Sequence, residues 1–336
     1  MTSIYRPILK IAWQILWRAK YLWFFGLFAV LVSNSGELNL IINNFSIVSE
    51  QGPFLRNLKL LYSQGVFNNP ITNLKELVAN FNLSAIILLI LFMALFLFLI
   101  WLAVVAQAGL VSGAYREYRK QPSGFVSAFK TGRQNFWSVL ALNVIGKIVI
   151  YGALLIVGLP LVLLYLKQPS ETGQLLFVLL SFIILIPLAV IVSFLIKYAI
   201  IFVVLKKEKV GQALKSGWRL FIKNWVVTVE MAIILFLISI LTGIVMILVT
   251  VILAIPLSLL VYIFYILQVE GLLMLAVILA LLLLVLLIFW LGTLLSTYQM
   301  TCWVLLFDRL TESQVFSKIS RLVAGWTSRK KVTSNQ

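Results

Sequence analysis

Residues Leu214–Trp225, "LKSGWRLFIKNW", decide how the rest of the chain is read. Wound as a helix, this stretch and the residues before it put Val210, Ala213, Leu214, Gly217, Phe221 and Trp225 on one side. Gln212, Lys215, Arg219 and Lys223 fall on the other. A basic stripe opposite an apolar one is the pattern of a helix lying at a membrane surface. The adjoining run is decisive. From Val226 to Leu267 the only charged residue is Glu230, in a run far longer than the roughly 18 apolar residues of a membrane span.

Composition extends the same reading to the whole chain. It is 62% apolar and 11% charged, where a soluble domain is nearer half apolar and about a quarter charged. The runs do not alternate, so a β-barrel is excluded. A net charge of +17 would suit nucleic acid, but the basic residues flank the apolar runs, where they orient helices and attract anionic headgroups. No nucleic acid is expected as a partner. With no histidine and one cysteine, Cys302, an internal disulfide is impossible, and neither a metal site nor a cofactor is expected.

Spans are expected at about Tyr21–Val32 (extending toward Ile42), Leu83–Tyr115, Ser138–Leu166, Leu175–Leu205, Val226–Leu267 and Leu272–Phe307. The fifth would be about 60 Å long, twice a hydrocarbon core, so it should tilt, kink at Pro256 or run on along the outer surface. The first could be a cleaved signal peptide, since "SNSG" comes after it. The amphipathic residues that precede it favour a retained span. With a cytosolic N-terminus, all but six of the 27 basic residues lie on the cytosolic side: Arg56, Lys59, Lys75 and Lys167 fall outside, and Lys147 and Lys197 within spans. The positive-inside rule then places both termini in the cytosol.

Near the start stands a counterpart, "LKIAWQILWRAK" over Leu9–Lys20, in which Arg6, Lys10, Gln14 and Arg18 recur every four residues as a polar stripe and Ile4, Ile8, Ile11 and Ile15 occupy another face. A third version, "FVSAFKTGRQNFW" over Phe125–Trp137, opposes Phe125, Ala128, Phe129, Gly132 and Phe136 to Ser127, Lys130, Thr131 and Gln134. "GLPLVLLY" from Gly158 and "AIPLSLLVY" from Ala254 add a second echo. Basic amphipathic stretches precede many spans, but the repeated order favours three units. The expected fold is all-α integral membrane: six transmembrane helices in three hairpins, each preceded by a basic amphipathic interfacial helix. A single six-helix domain would cover 1–312, with 34–80 an external segment carrying short amphipathic helices ("PFLRNLKLLYS", "NPITNLKELVANF"). Residues 313–336 would form a cytosolic amphipathic helix, "VFSKISRLVAGW", and a disordered basic tail.

Candidate sites are few. No phosphate loop, nucleophile elbow or zinc helix is present. Ser112 in "GLVSG" lacks a histidine for a triad, and Gly109, Gly113 and Ala106 read as a helix-packing face. No catalytic residue is expected. Lys147, Lys197 and Glu230 lie within spans, where ionisable groups are costly and often functional, and Glu230 is expected to pair with one of the lysines. Gln107, Asn143 and Gln299 join the same polar interior, and Lys197 could also snorkel to the surface. An anionic-lipid collar is expected from Arg6, Lys10, Arg18, Lys20, Lys130, Arg133, Lys215, Arg219 and Lys223.

"YAIIFVVLKKEKVGQALKSGWRLFIKNW" (198–225), "TYQMTCWVLLFDRLTE" (297–312), "AQAGLVSGAYREYRK" (106–120) and "SAFKTGRQNFW" (127–137) together resemble bacterial membrane proteins of the glycerophosphodiester phosphodiesterase membrane-domain and YciC-like type. The likeness covers about residues 105 to 315 and rests on pattern. It implies about six helices and, for most members, no established activity. Some relatives carry a soluble phosphodiesterase barrel after the membrane part. The residues after the last span are too few for one, so the hydrolase activity is not expected here. The residues therefore point to a non-enzymatic membrane protein engaging anionic lipid or a protein partner in envelope or lipid homeostasis. The competing reading is a small transporter or lipid-translocating protein using the intramembrane charges.

Overall fold

The computed structural model describes residues 5–32, 83–166, 171–268 and 270–312, and every element among them is a helix. In chain order these are α1 (Tyr5–Arg18), α2 (Tyr21–Val32), α3 (Leu83–Tyr118), α4 (Phe125–Gln134), α5 (Phe136–Leu166), α6 (Glu171–Lys206), α7 (Val210–Lys223), α8 (Trp225–Ile266) and α9 (Glu270–Glu312). Five of them, α3, α5, α6, α8 and α9, are long and apolar enough to cross a membrane, as a multi-pass membrane protein requires. Helices dominate because in hydrocarbon each backbone N–H must find its acceptor within its own segment.

The sixth expected span is represented by α2, which is apolar but 12 residues long. That is about 18 Å of rise, short of a hydrocarbon core of about 30 Å. Its continuation toward Ile42, the 34–80 amphipathic segments and the 313–336 helix and tail lie outside the described residues. The long fifth run stays one helix through Pro256 for 42 residues, and α6 likewise continues through Pro187.

Two compact units divide the chain. The first comprises Met1–Val32, Ala103–Leu140 and Lys197–Gln336. Its core is built from the C-terminal parts of three long helices. Residues 103–114 of α3 and 301–308 of α9 are buried on every side, and so is nearly all of 198–204 in α6. Around them pack α1 and α2, through Ile15, Ala19, Leu22, Phe25 and Ala29. Lipid is as apolar as leucine, so close fit rather than apolar burial must hold such helices together. Gly26 of α2 supplies it. A Cβ there would lie 2.0 Å from Thr297 Oγ1 and 2.9 Å from Thr293 O. Thr293, Thr297 and Thr301 each return their hydroxyl to the carbonyl four residues earlier, at 2.7 to 2.8 Å, so this α9 face can be tight without leaving a polar atom unmet. The small-residue face of α3 also holds a helix: Phe25 rests on Gly109 and Leu22 on Gly113.

The second unit takes Ser33–Leu102 and Ala141–Ile196. There α5 and α6 meet where Gly146 admits the side chain of Ile196. Along α3 the residues from Ile86 to Phe98 are exposed, an apolar surface suited to acyl chains.

Candidate functional site

Three short helices of the first unit carry the basic stripes. In α1, Tyr5, Ile8, Ala12, Ile15 and Leu16 are buried. In α4 the buried residues are Ala128 and Gly132, and in α7 they are Ala213, Gly217, Leu220 and Phe221. Arg6, Lys10, Arg18, Lys20, Lys130, Arg133, Lys215, Arg219 and Lys223 are all exposed. Each helix thus turns part of its apolar face to protein, while Trp13, Trp17, Phe125 and Trp218 stay exposed. Helix α1 lies against α9, where Trp13 meets Tyr298 edge-on at 6.1 Å and the Tyr298 hydroxyl reaches Leu9 O at 3.5 Å. In α4, a Cβ on Gly132 would stand 2.3 Å from Val105 O.

The chain enters and leaves two of these helices in matching ways. After α3, Lys120 takes the left-handed conformation (φ 53°), with Gln121 N–H donating to Arg116 O at 2.9 Å and Lys120 N–H to Glu117 O at 3.2 Å. This is a helix-ending turn usually given to glycine. After α6, Lys207 takes the same conformation (φ 55°). Each basic helix then joins its long partner through an asparagine. Asn135 donates its side-chain amide to Thr131 O at 2.9 Å, and Asn224 to Leu220 O at 3.2 Å. Each backbone N–H is shared between the carbonyls three and four residues back, and each carbonyl accepts the N–H four residues on, from Val139 and Thr228. The hydrogen bonding therefore runs through both joints, and only one residue leaves helical geometry. Between α1 and α2 the turn at Ala19–Lys20 has no asparagine.

Carboxylates fasten this end. Arg18 reaches Glu117 Oε2 at 2.7 Å and the Glu117 carbonyl at 3.2 Å, and Ser123 donates to the other carboxylate oxygen. Arg119 donates to Asp308 Oδ1 at 2.6 Å and to Glu312. Asp308 is 4% exposed and Arg119 32%. The bond to Glu312 first, and that to Asp308 second, hold the Arg119 proton more tightly than in free arginine. Arg18 is thus shared between the collar and Glu117.

Of the intramembrane charges, Glu230 accepts a hydrogen bond from the Tyr5 hydroxyl, which ties α8 to the start of α1. Lys197 sets its ammonium 5.3 Å from the centre of the Trp303 ring, a cation–π seat. Beside it Tyr198 and Thr228 share a hydrogen bond of 2.8 Å. Lys147 lies half-buried in the second unit, one helical turn from the buried Asn143 on the same face of α5. Gln299 donates to Ser239 at 2.7 Å.

Among the described residues no group of three or more His, Cys, Asp or Glu could hold a metal ion. Cys302 is buried, and buried Ser112 gives its hydroxyl to Gly109 O at 3.1 Å, a structural role. No family model, curated protein or solved structure matches this chain. The residue pattern alone did not single out the carboxylate anchors Glu117, Asp308 and Glu312, or Tyr5. Nor did it single out the joints, although "QNFW" and "KNW" place an asparagine before an aromatic at both seams.

Proposed function

We propose that this chain is a six-span protein of the bacterial plasma membrane, with both termini cytosolic and a basic collar that engages anionic lipid headgroups or a protein partner. Its role is in envelope or lipid homeostasis, without catalysis of its own. One observation carries the reading. All nine collar cations are exposed, while each of α1, α4 and α7 turns a set of small and apolar residues, Ala12, Ala128, Gly132, Ala213 and Gly217 among them, into the protein. The helices are therefore held in place independently of lipid, leaving the cations to act on what lies outside. The matched lysine turns and asparagine joints of the second and third units support the threefold repeat, and with it three hairpins, each entered from a basic helix.

Each juxtamembrane lysine or arginine contributes about 1 kcal/mol toward an anionic surface, weakened by salt. The purified chain, reconstituted in mixed bilayers, should hold spin-labelled phosphatidylglycerol in preference to phosphatidylcholine. Added salt and the combined Lys10→Gln, Lys130→Gln and Lys215→Gln changes should each reduce that preference. Equal retention of the two lipids at low salt contradicts the collar.

A further inference from the structure

An apolar cleft opens between α8 and α9, lined by Leu253, Pro256 and Leu257 on one side and Leu283, Leu287 and Trp290 on the other. Its volume of about 550 Å³ falls in the range of small-ligand sites, but its walls offer a ligand almost nothing polar. What distinguishes it from ordinary lipid-facing surface is its connection to the basic helix. Trp290, at one edge, meets Trp23 edge-on at 6.3 Å. Trp23 meets Trp17 at 5.5 Å, Trp17 meets Trp13 at 5.8 Å, and Trp13 meets Tyr298 at 6.1 Å. Trp23 is fixed in this row by its indole N–H, which donates to Leu16 O at 2.8 Å. Trp13 and Trp17 are exposed and stand on α1 within one turn of exposed Lys10 and Lys20. Apolar cleft, amphipathic aromatics and cations thus succeed one another without interruption.

The order and the length both match a phospholipid. Along α9, from Tyr298 beside the basic helix to Leu283 in the cleft is about 22 Å of helical rise. Half of a bilayer about 40–45 Å thick with its headgroups is the same distance. Tryptophan favours the headgroup level, where one end is apolar and the other wet. We infer that the α8–α9 cleft, the tryptophan row and the cations Lys10 of α1 and Lys20 of the turn after it together seat one anionic phospholipid of the leaflet nearest the basic helices. Its acyl chain lies in the cleft and its phosphate lies by Lys10 and Lys20. This rests on the collar reading and gives it a defined place.

The test uses the full chain in nanodiscs containing phosphatidylglycerol that carries a photoreactive diazirine on its acyl chain, with labelled residues mapped by mass spectrometry. Labels should concentrate on 253–257 and 283–287. Filling the cleft with Leu257→Trp and Leu287→Trp should lower that labelling about tenfold, the loss expected when two or more buried methylenes are displaced. Leu281→Trp, on an exposed position outside the lining, should leave it unchanged and controls for folding. The same probe built on phosphatidylcholine should label the cleft less, and Lys10→Gln with Lys20→Gln should erase the difference. Labels spread evenly over the exposed parts of α3, α8 and α9, or unaffected by filling, overturn the seat. A phosphatidylglycerol preference of the whole protein that survives such a result would leave the collar standing, and its absence from the unaltered chain would remove the collar as well.

Discussion

Two lysines end helices in a conformation that suits glycine. A side chain in the left-handed region costs roughly 1 kcal/mol or more, so Lys120→Gly and Lys207→Gly should each stabilise the detergent-solubilised protein by about 1 kcal/mol, read from its unfolding transition. A loss of stability would mean that these lysines contribute more by contact than they cost in strain. The two arginine clasps separate by burial. Removing Arg119 strands the nearly buried Asp308 carboxylate, at about 3 kcal/mol for Arg119→Met, and adding Asp308→Asn should recover part of it. Arg18, at 60% exposed, sits where ion pairs contribute under about 1 kcal/mol, so Arg18→Met should change stability little. Equal losses from the two would show that burial does not set the strength of these clasps.

At the level of the helix, close approach decides what can change. Gly132→Ala would drive a methyl against the Val105 carbonyl and should cost about 1–3 kcal/mol as α4 is pushed from α3. Gly211→Ala, in α7, meets no atom within 4 Å and should be neutral or stabilising by less than about 1 kcal/mol. Similar losses from both would refute the tight α3–α4 seam. The helices themselves were legible from residue order: α3, α5, α6, α8 and α9 end within a few residues of the apolar runs, because in hydrocarbon span length is set directly by composition. The side to which each amphipathic face turns was less legible. Ile8, Ala12 and Ile15 look the same whether a helix floats on lipid or packs on protein, and only the tertiary structure shows them buried. Glu117 and Asp308 could not be picked out either, since an acid beside a basic loop reads as ordinary surface until its partner from a distant helix is known.

Taken whole, the molecule packs tightly where its basic helices gather and bares apolar helix surface elsewhere. In the first unit Val227, Met231 and Leu235 of α8 are buried, while Phe236, Leu237, Ile240 and Leu241 are exposed. Water would penalise that surface and hydrocarbon does not. A bilayer setting also explains why the ion pairs of Arg18 and Arg119 lie near helix ends, where carboxylates, arginines and headgroups can meet. If the chain crosses the membrane several times with all its basic helices in the cytosol, paired cytosolic and periplasmic reporters fused along it will show that sidedness. Fusions after Lys120, after Lys209 and at Gln336 should all report the cytosol, and one after Glu171 the opposite side. A C-terminus that reports the outside would contradict the six-span arrangement, the threefold repeat and the single basic face together.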